Sequence, residues 1–287
     1  MQVIRTPSTL QPLIKAYKLA SESVCFVPTM GALHPGHLSL IETAKQHGRR
    51  VIASIFVNPA QFAPHEDFHA YPRPEDQDIA LLQESGVDIA YLPHVSDMYP
   101  DGFSTKLSVG DIGQTLCGVS RPHFFDGVAL VITKLFHHVQ PDVAVFGEKD
   151  FQQLHIINKL TQDLDFPVSI IGNPVVREAD GLAISSRNRY LSHQERRIAA
   201  NLYTTLEAIA TSLNQLSPLD VDTIRNHAAK ELLADGFTKI DYLEIRDEAT
   251  LSHVTYPLEK PIRILGAAYL GTTRLIDNIR FLPKIHS

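Results

Sequence analysis

The chain has 287 residues, 44% of them apolar and 20% charged, enough for a sizeable core and two domains. Its net charge of −6 argues against a nucleic-acid-binding face, which needs a basic patch, yet allows a local basic cluster for small anions. No apolar run approaches the roughly 18–20 residues that span a bilayer, the first eight residues lack a signal-peptide pattern, and Cys25 and Cys117 form neither a disulfide framework nor a metal pair, so a cytoplasmic protein is expected.

Residues 10–20 have helical spacing. Val24-Cys25-Phe26-Val27 is a short apolar run, read as a buried strand. Pro28-Thr29-Met30-Gly31-Ala32-Leu33-His34-Pro35-Gly36-His37 follows, and Leu38, Ile41 and Ala44 then share one face of a helix. A strand, a Gly-bearing turn and a helix start commonly receive a phosphate, on free backbone N–H groups and the helix N-terminus. His34 and His37 are three apart, so both can lie on the opening turn and donate hydrogen bonds or charge to a phosphate.

Residues 51–57 read as a second buried strand, ending at Asn58-Pro59-Ala60-Gln61. Ligands of an open α/β sheet bind outside the carboxyl ends of its strands. The amides of Asn58 and Gln61 therefore suit a hydroxy acid, although Asn-Pro is also ordinary turn chemistry. Residues 66–74 are a polar, proline-punctuated loop, and residues 74–85 a helix opening on Pro-Glu-Asp. Residues 87–92 form a third strand, and residues 98–118 loops with a short β segment. Arg121 precedes a helix over residues 128–138 and is a candidate for a phosphate or carboxylate contact, or for an interface.

Residues 142–146 form a fourth strand, followed at once by Gly147-Glu148-Lys149-Asp150 and a helix carrying Gln153. Lys149 is a cation for a phosphate, Asp150 a group for ribose hydroxyls or a metal, and Gln153 a residue one turn in that can face a substrate. Residues 167–171 form a fifth strand, and residues 173–181 a boundary and hairpin. Ser185-Ser186-Arg187 then joins two hydroxyls to a guanidinium, a natural phosphate clamp. Ser192 with Glu195 forms a capping box for the next helix. Helices over residues 195–213 and 221–233, and strands over residues 241–245 and 262–270, with residues 273–278 ending the fold, read as a small α+β unit. The expected fold class is thus α/β: a Rossmann-like parallel-sheet domain over residues 1–174 and a smaller α+β domain over residues 175–287 that closes as a lid.

Four separated segments, near residues 28–41, 55–62, 146–153 and 184–191, resemble in order the motifs of the pantothenate synthetases. These are pantoate–β-alanine ligases of the HxGH nucleotidyl-transferring superfamily. Tyr71-Pro72-Arg73 is similar to the same family. One departure is clear: the family's Arg-Pro-Gly-His-Phe reads Arg121-Pro122-His123-Phe124-Phe125 here. The resemblance implies ATP as co-substrate, Mg²⁺, pantoate and β-alanine as substrates, a homodimer, and neither nucleic-acid nor membrane partners. By the same resemblance, Met30, Gly31, His34, His37, Gly147, Lys149, Asp150, Val176, Ile184, Ser185, Ser186 and Arg187 contact ATP, and Asn58, Gln61 and Gln153 contact pantoate. His34, His37, Lys149 and Arg187 are the implied catalytic set, with His37 as proton donor. No dedicated metal ligands are expected.

Overall fold

In a computed structural model, residues 1–62, 68–214, 221–255 and 257–283 are described. Six strands, β1 (Gln2–Ile4), β2 (Val24–Thr29), β3 (Arg50–Ile55), β4 (Ile89–Tyr91), β5 (Val143–Gly147) and β6 (Ser169–Asn173), form one parallel sheet in the order β1-β4-β3-β2-β5-β6. Its helices are α1 (Pro7–Leu19), α2 (Pro35–His47), α3 (Glu75–Glu84), α4 (Val95–Met98), α5 (Cys117–Ser120), α6 (Phe124–Val139) and α7 (Phe151–Asp163). This is the expected α/β, Rossmann-like arrangement.

The inner strands are buried on both faces, which explains why they read as continuous apolar runs. Cys25, Val27, Val51, Ala53 and Val145 pack with Leu40, Ile41 and Ala44 of α2 and Leu82 of α3. Alternation turns Phe26 to the opposite face, where its ring meets Phe136 of α6 edge-on at 6.5 Å. Thr6 caps α1, with Pro7 at the first helical position.

The chain divides into two units after Pro174. The second unit has an antiparallel sheet of β7 (Lys239–Asp247), β8 (Ile262–Leu270) and β9 (Thr273–Phe281), in that order. Its helices are α8 (His193–Ala199), α9 (Asn201–Asn214) and α10 (Val221–Ala234). Leu206, Ile209, Ile224 and Ala228 pack on Leu243, Ile245, Ile262 and Ile264 to form its core. Ser192 and Glu195 make the expected capping box at the start of α8.

Several expectations need correction. The short β segment expected within residues 98–118 is absent: the stretch holds a 3-10 turn (Gly110–Gln114) and α5 instead. Residues 104–106 are exposed, so this stretch has no buried face to hold against a neighbouring strand. The helix expected over residues 195–213 is two helices that meet at Ala200. β1, which no sequence pattern announces, is a three-residue edge strand paired with β4, too short to show a periodicity. Of the polar loop expected over residues 66–74, the first two residues lie outside those described.

Candidate active site

The sheet order contains a switch point. From β2 the chain steps outward to β3 and β4, then returns to place β5 on the other side of β2. In open α/β sheets the crevice at such a reversal is where ligands bind. Three of the sequence segments leave the carboxyl ends of the three adjacent strands there: His34 and His37 after β2, Asn58 and Gln61 after β3, and Lys149 and Asp150 after β5.

The turn after β2 is held from within. Gly31 has φ +80°, and a Cβ there would lie 2.8 Å from a carboxylate oxygen of Asp78 and 3.0 Å from Ile55, so both conformation and space require glycine. Ala32 continues the turn at φ +51°. Asp78, buried on α3, accepts hydrogen bonds from the backbone N–H groups of Ala32 and Leu33, each at 2.8 Å. The Gly31 N–H donates to Thr29 Oγ1 at 3.2 Å. The expectation that these amides stand free for a phosphate is therefore corrected: residues 31 to 33 spend theirs inside the protein.

What the turn presents instead is imidazole. His34 is the N-cap of α2, and its ring stacks on that of His37 with centroids 3.9 Å apart and planes 27° from parallel. A Cβ on Gly36 would sit 3.0 Å from His34 Cε1, so the glycine between the histidines makes room for the stack. Burial, the neighbouring His34 and the positive charge of Lys149 together push His37 well below the usual imidazole range. His37 is thus neutral at pH 7 in the ligand-free protein, and what it offers an anion is an N–H hydrogen bond. Its Nδ1 is buried with no hydrogen-bond partner among the described residues.

After β5, Lys149 lies mostly buried, its Nζ 3.7 Å from Asp150. Gln153 is half-buried in the first turn of α7, whereas its neighbour Gln152 is consumed structurally. The Gln152 side chain accepts from the Cys117 N–H at 3.0 Å and donates to the carbonyls of Ile112 and Thr115.

After β3, Asn58 is fully buried and its amide fully engaged. Asn58 Oδ1 accepts from the Tyr99 hydroxyl at 2.7 Å and from the Ala60 N–H at 3.2 Å. Asn58 Nδ2 donates to Gln61 Oε1 at 2.8 Å and to the Gly127 carbonyl at 3.1 Å. The Asn58 amide thus spends both its donors and both its acceptor positions within the protein, one of them on Gln61. Gly127 must be glycine, because a Cβ would fall 2.1 Å from the Ala60 carbonyl oxygen. Arg121 donates to the Gln61 carbonyl at 3.2 Å, and its guanidinium lies 3.7 Å from the centroid of the Phe124 ring. His123 has φ +68° and an 88% exposed side chain, facing Asp126 at 3.8 Å. That left-handed conformation is one glycine adopts most readily.

In the second unit, Val176 and Ile184 are joined across the hairpin by the Ile184 N–H on the Val176 carbonyl at 3.0 Å. Arg177 ties that hairpin to β9 with two hydrogen bonds to the buried Asp277, at 2.6 and 2.9 Å, while its guanidinium packs over the Tyr203 ring. Ser185 caps the 3-10 turn Ser186–Tyr190, accepting from the Arg187 N–H at 3.3 Å. That leaves the Ser185 hydroxyl hydrogen to donate elsewhere.

Sequence reasoning did not find Asp78, Tyr99 or Gly127. A signal existed for Asp78 alone: it lies four residues before Leu82, a carboxylate on the buried stripe of its helix.

No helix among the described residues is long and apolar enough to cross a membrane. The sequence profile of the Pantoate-beta-alanine ligase family matches residues 2–280. A pantothenate synthetase of Hyphomonas neptunium is 51% identical over 97% of this chain and 96% of its own. Another, of Caulobacter vibrioides, is 50% identical over 96% and 97%. The crystal structure of pantothenate synthetase from Thermus thermophilus superposes with a TM-score of 0.89 at 43% identity, covering 97% of this chain and 99% of that one. That of pantoate-beta-alanine ligase from Francisella tularensis, complexed with beta-gamma ATP and beta-alanine, superposes at 0.81 with 34% identity over 97% of both chains. This chain is an enzyme of the ligase class and belongs to the pantoate-beta-alanine ligase family.

Proposed function

We propose that the protein condenses pantoate with β-alanine to give pantothenate, using ATP through a pantoyl-adenylate. A carboxylate is a poor electrophile, so activation comes first. A pantoate carboxylate oxygen attacks the α-phosphorus of ATP in line, and the bond to the β-phosphate oxygen breaks to release pyrophosphate. The β-alanine amine then attacks the acyl carbonyl, the acyl–oxygen bond breaks, AMP departs, and the amine gives up a proton. The observation that supports this most is the convergence of three motif segments on neighbouring carboxyl ends of β3, β2 and β5 in a chain of this family.

The side chains divide the labour by chemistry. The neutral His37 and its stacked partner His34 donate N–H hydrogen bonds to phosphate oxygens as charge moves onto the leaving group. Met30, Gly31 and Gly147 line the nucleotide's approach, and Lys149 supplies a positive charge with little exposure to water. Ser185, Ser186 and Arg187, with Val176 and Ile184 beside them, supply the second unit's grip on the triphosphate. The first unit, residues 1–174, carries the pantoate contacts and the histidine and lysine contacts to ATP. Gln61 and Gln153 orient pantoate. Catalysis on this scheme is mainly positioning and electrostatics.

A Mg²⁺ held chiefly by phosphate oxygens fits this donor set. Among the described residues no three His, Cys, Asp or Glu side chains cluster as a cage, and the half-exposed Asp150 beside Lys149 offers a single carboxylate. When bound, such an ion neutralises charge on the departing pyrophosphate.

Product analysis tests the scheme. With ATP, pantoate and β-alanine, one AMP and one pyrophosphate are expected for each amide formed. ADP with phosphate, or a product that keeps the nucleotidyl group, would overturn it.

A further inference from the structure

We propose that Tyr99 is a positioning residue for pantoate: acting through Asn58, it fixes which end of the Gln61 amide faces the substrate. The inference rests on the reading that Gln61 holds pantoate.

The direction of each hydrogen bond in the chain is determined. The Asn58 carbonyl oxygen can only accept, so the Tyr99 phenol, 2.7 Å away, donates. Burial pushes Tyr99 above the usual phenol range, so the donor stays protonated. The Ala60 N–H gives the same oxygen a second donor. Asn58 Nδ2 is thereby turned toward the two acceptors Gln61 Oε1 and Gly127 O. Reversing the Asn58 amide would set its oxygen against the Gly127 carbonyl and its NH2 against the Ala60 N–H, both repulsive in a fully buried site.

The consequence falls on Gln61. Its Oε1 is committed as an acceptor, so its Nε2, which has no protein acceptor among the described residues, carries two N–H donors toward the ligand. Gln61 therefore reads an acceptor oxygen, either a carboxylate or a hydroxyl lone pair, and not a donor. Removing the Tyr99 hydroxyl takes away the shortest bond on Asn58 Oδ1 and loosens this presentation. The Tyr99 ring would stay in place, packed on Phe103 with centroids 5.4 Å apart and on Phe56 at 6.3 Å.

A double-mutant cycle tests the relay, with Tyr99→Phe, Gln61→Ala and the pair measured in the full-length enzyme. Tyr99→Phe should raise the KM for pantoate about five- to tenfold, the scale of one buried hydrogen bond. Its kcat and its KM for ATP should stay within about twofold of wild type, a split that general loosening of the fold would not give. In the Gln61→Ala background the same substitution should change the pantoate KM by less than about twofold. An undiminished effect in that background overturns the relay. An unchanged pantoate KM in Tyr99→Phe, beside a raised one in Gln61→Ala, also overturns the relay while leaving the role of Gln61 standing. An unchanged pantoate KM in Gln61→Ala overturns that role itself.

Discussion

The two histidines of the opening motif gain their meaning from protonation state. His37 is buried beside another imidazole and within the field of Lys149, and all three influences favour its neutral form. Replacing it with alanine should lower kcat for adenylate formation at least ~100-fold, the scale of one lost donor at a developing anion, and move the pantoate KM by less than roughly threefold. The same depression has a stability signature. The unfolded chain takes up the His37 proton near pH 6.5, whereas the folded chain resists until lower pH. Between those two values the unfolded state binds more protons, so the stability present above about pH 6.5 is lost as pH falls. The melting temperature of the wild type should fall more steeply from pH 7.5 to 5.5 than that of His37→Ala. His123 is the opposite case, an exposed histidine in the left-handed region. His123→Gly should raise stability by about 0.5–1 kcal/mol in denaturant unfolding and leave kcat unchanged, because it relieves backbone strain away from the buried network.

Elements differ in how openly the sequence declares them. β2, β3 and β5 are apolar runs that could only be buried strands, and their exits supplied most of the candidate site. β1 escaped because three residues, two of them exposed, carry no period. The fate of a turn's amides escaped too, since a hydrogen-bond partner 45 residues away leaves no local trace. Asp78 is that partner for Leu33. It couples α3 to the turn after β2, so the shape of the histidine-bearing segment depends on a residue outside every motif. Asp78→Ala should destabilise the protein by about 3 kcal/mol, through two buried N–H groups left without their acceptors. The measurement is the denaturant midpoint at unchanged slope. For the same reason Asn58 read as a substrate ligand in the sequence: its residue type was visible, whereas the four partners that occupy it come from Tyr99, Ala60, Gln61 and Gly127.

At the scale of the whole molecule, the sheet order does the organising. By reversing direction at β2, the chain brings segments more than a hundred residues apart to adjacent strand ends, so that the stacked imidazoles and Lys149 share one field. The alternation of strands and helices made the α/β class legible, and the family motifs marked the segments that meet at adjacent strand ends. The supports beneath it were not legible, because buried carboxylates and amides are chosen by three-dimensional neighbours. The central claim is that these groups activate pantoate on ATP before any amine is present. Exchange of labelled pyrophosphate into ATP, measured without β-alanine, tests it most directly. The account predicts exchange that requires pantoate and is abolished in His37→Ala; pantoate-independent exchange, or none until β-alanine is added, would contradict it.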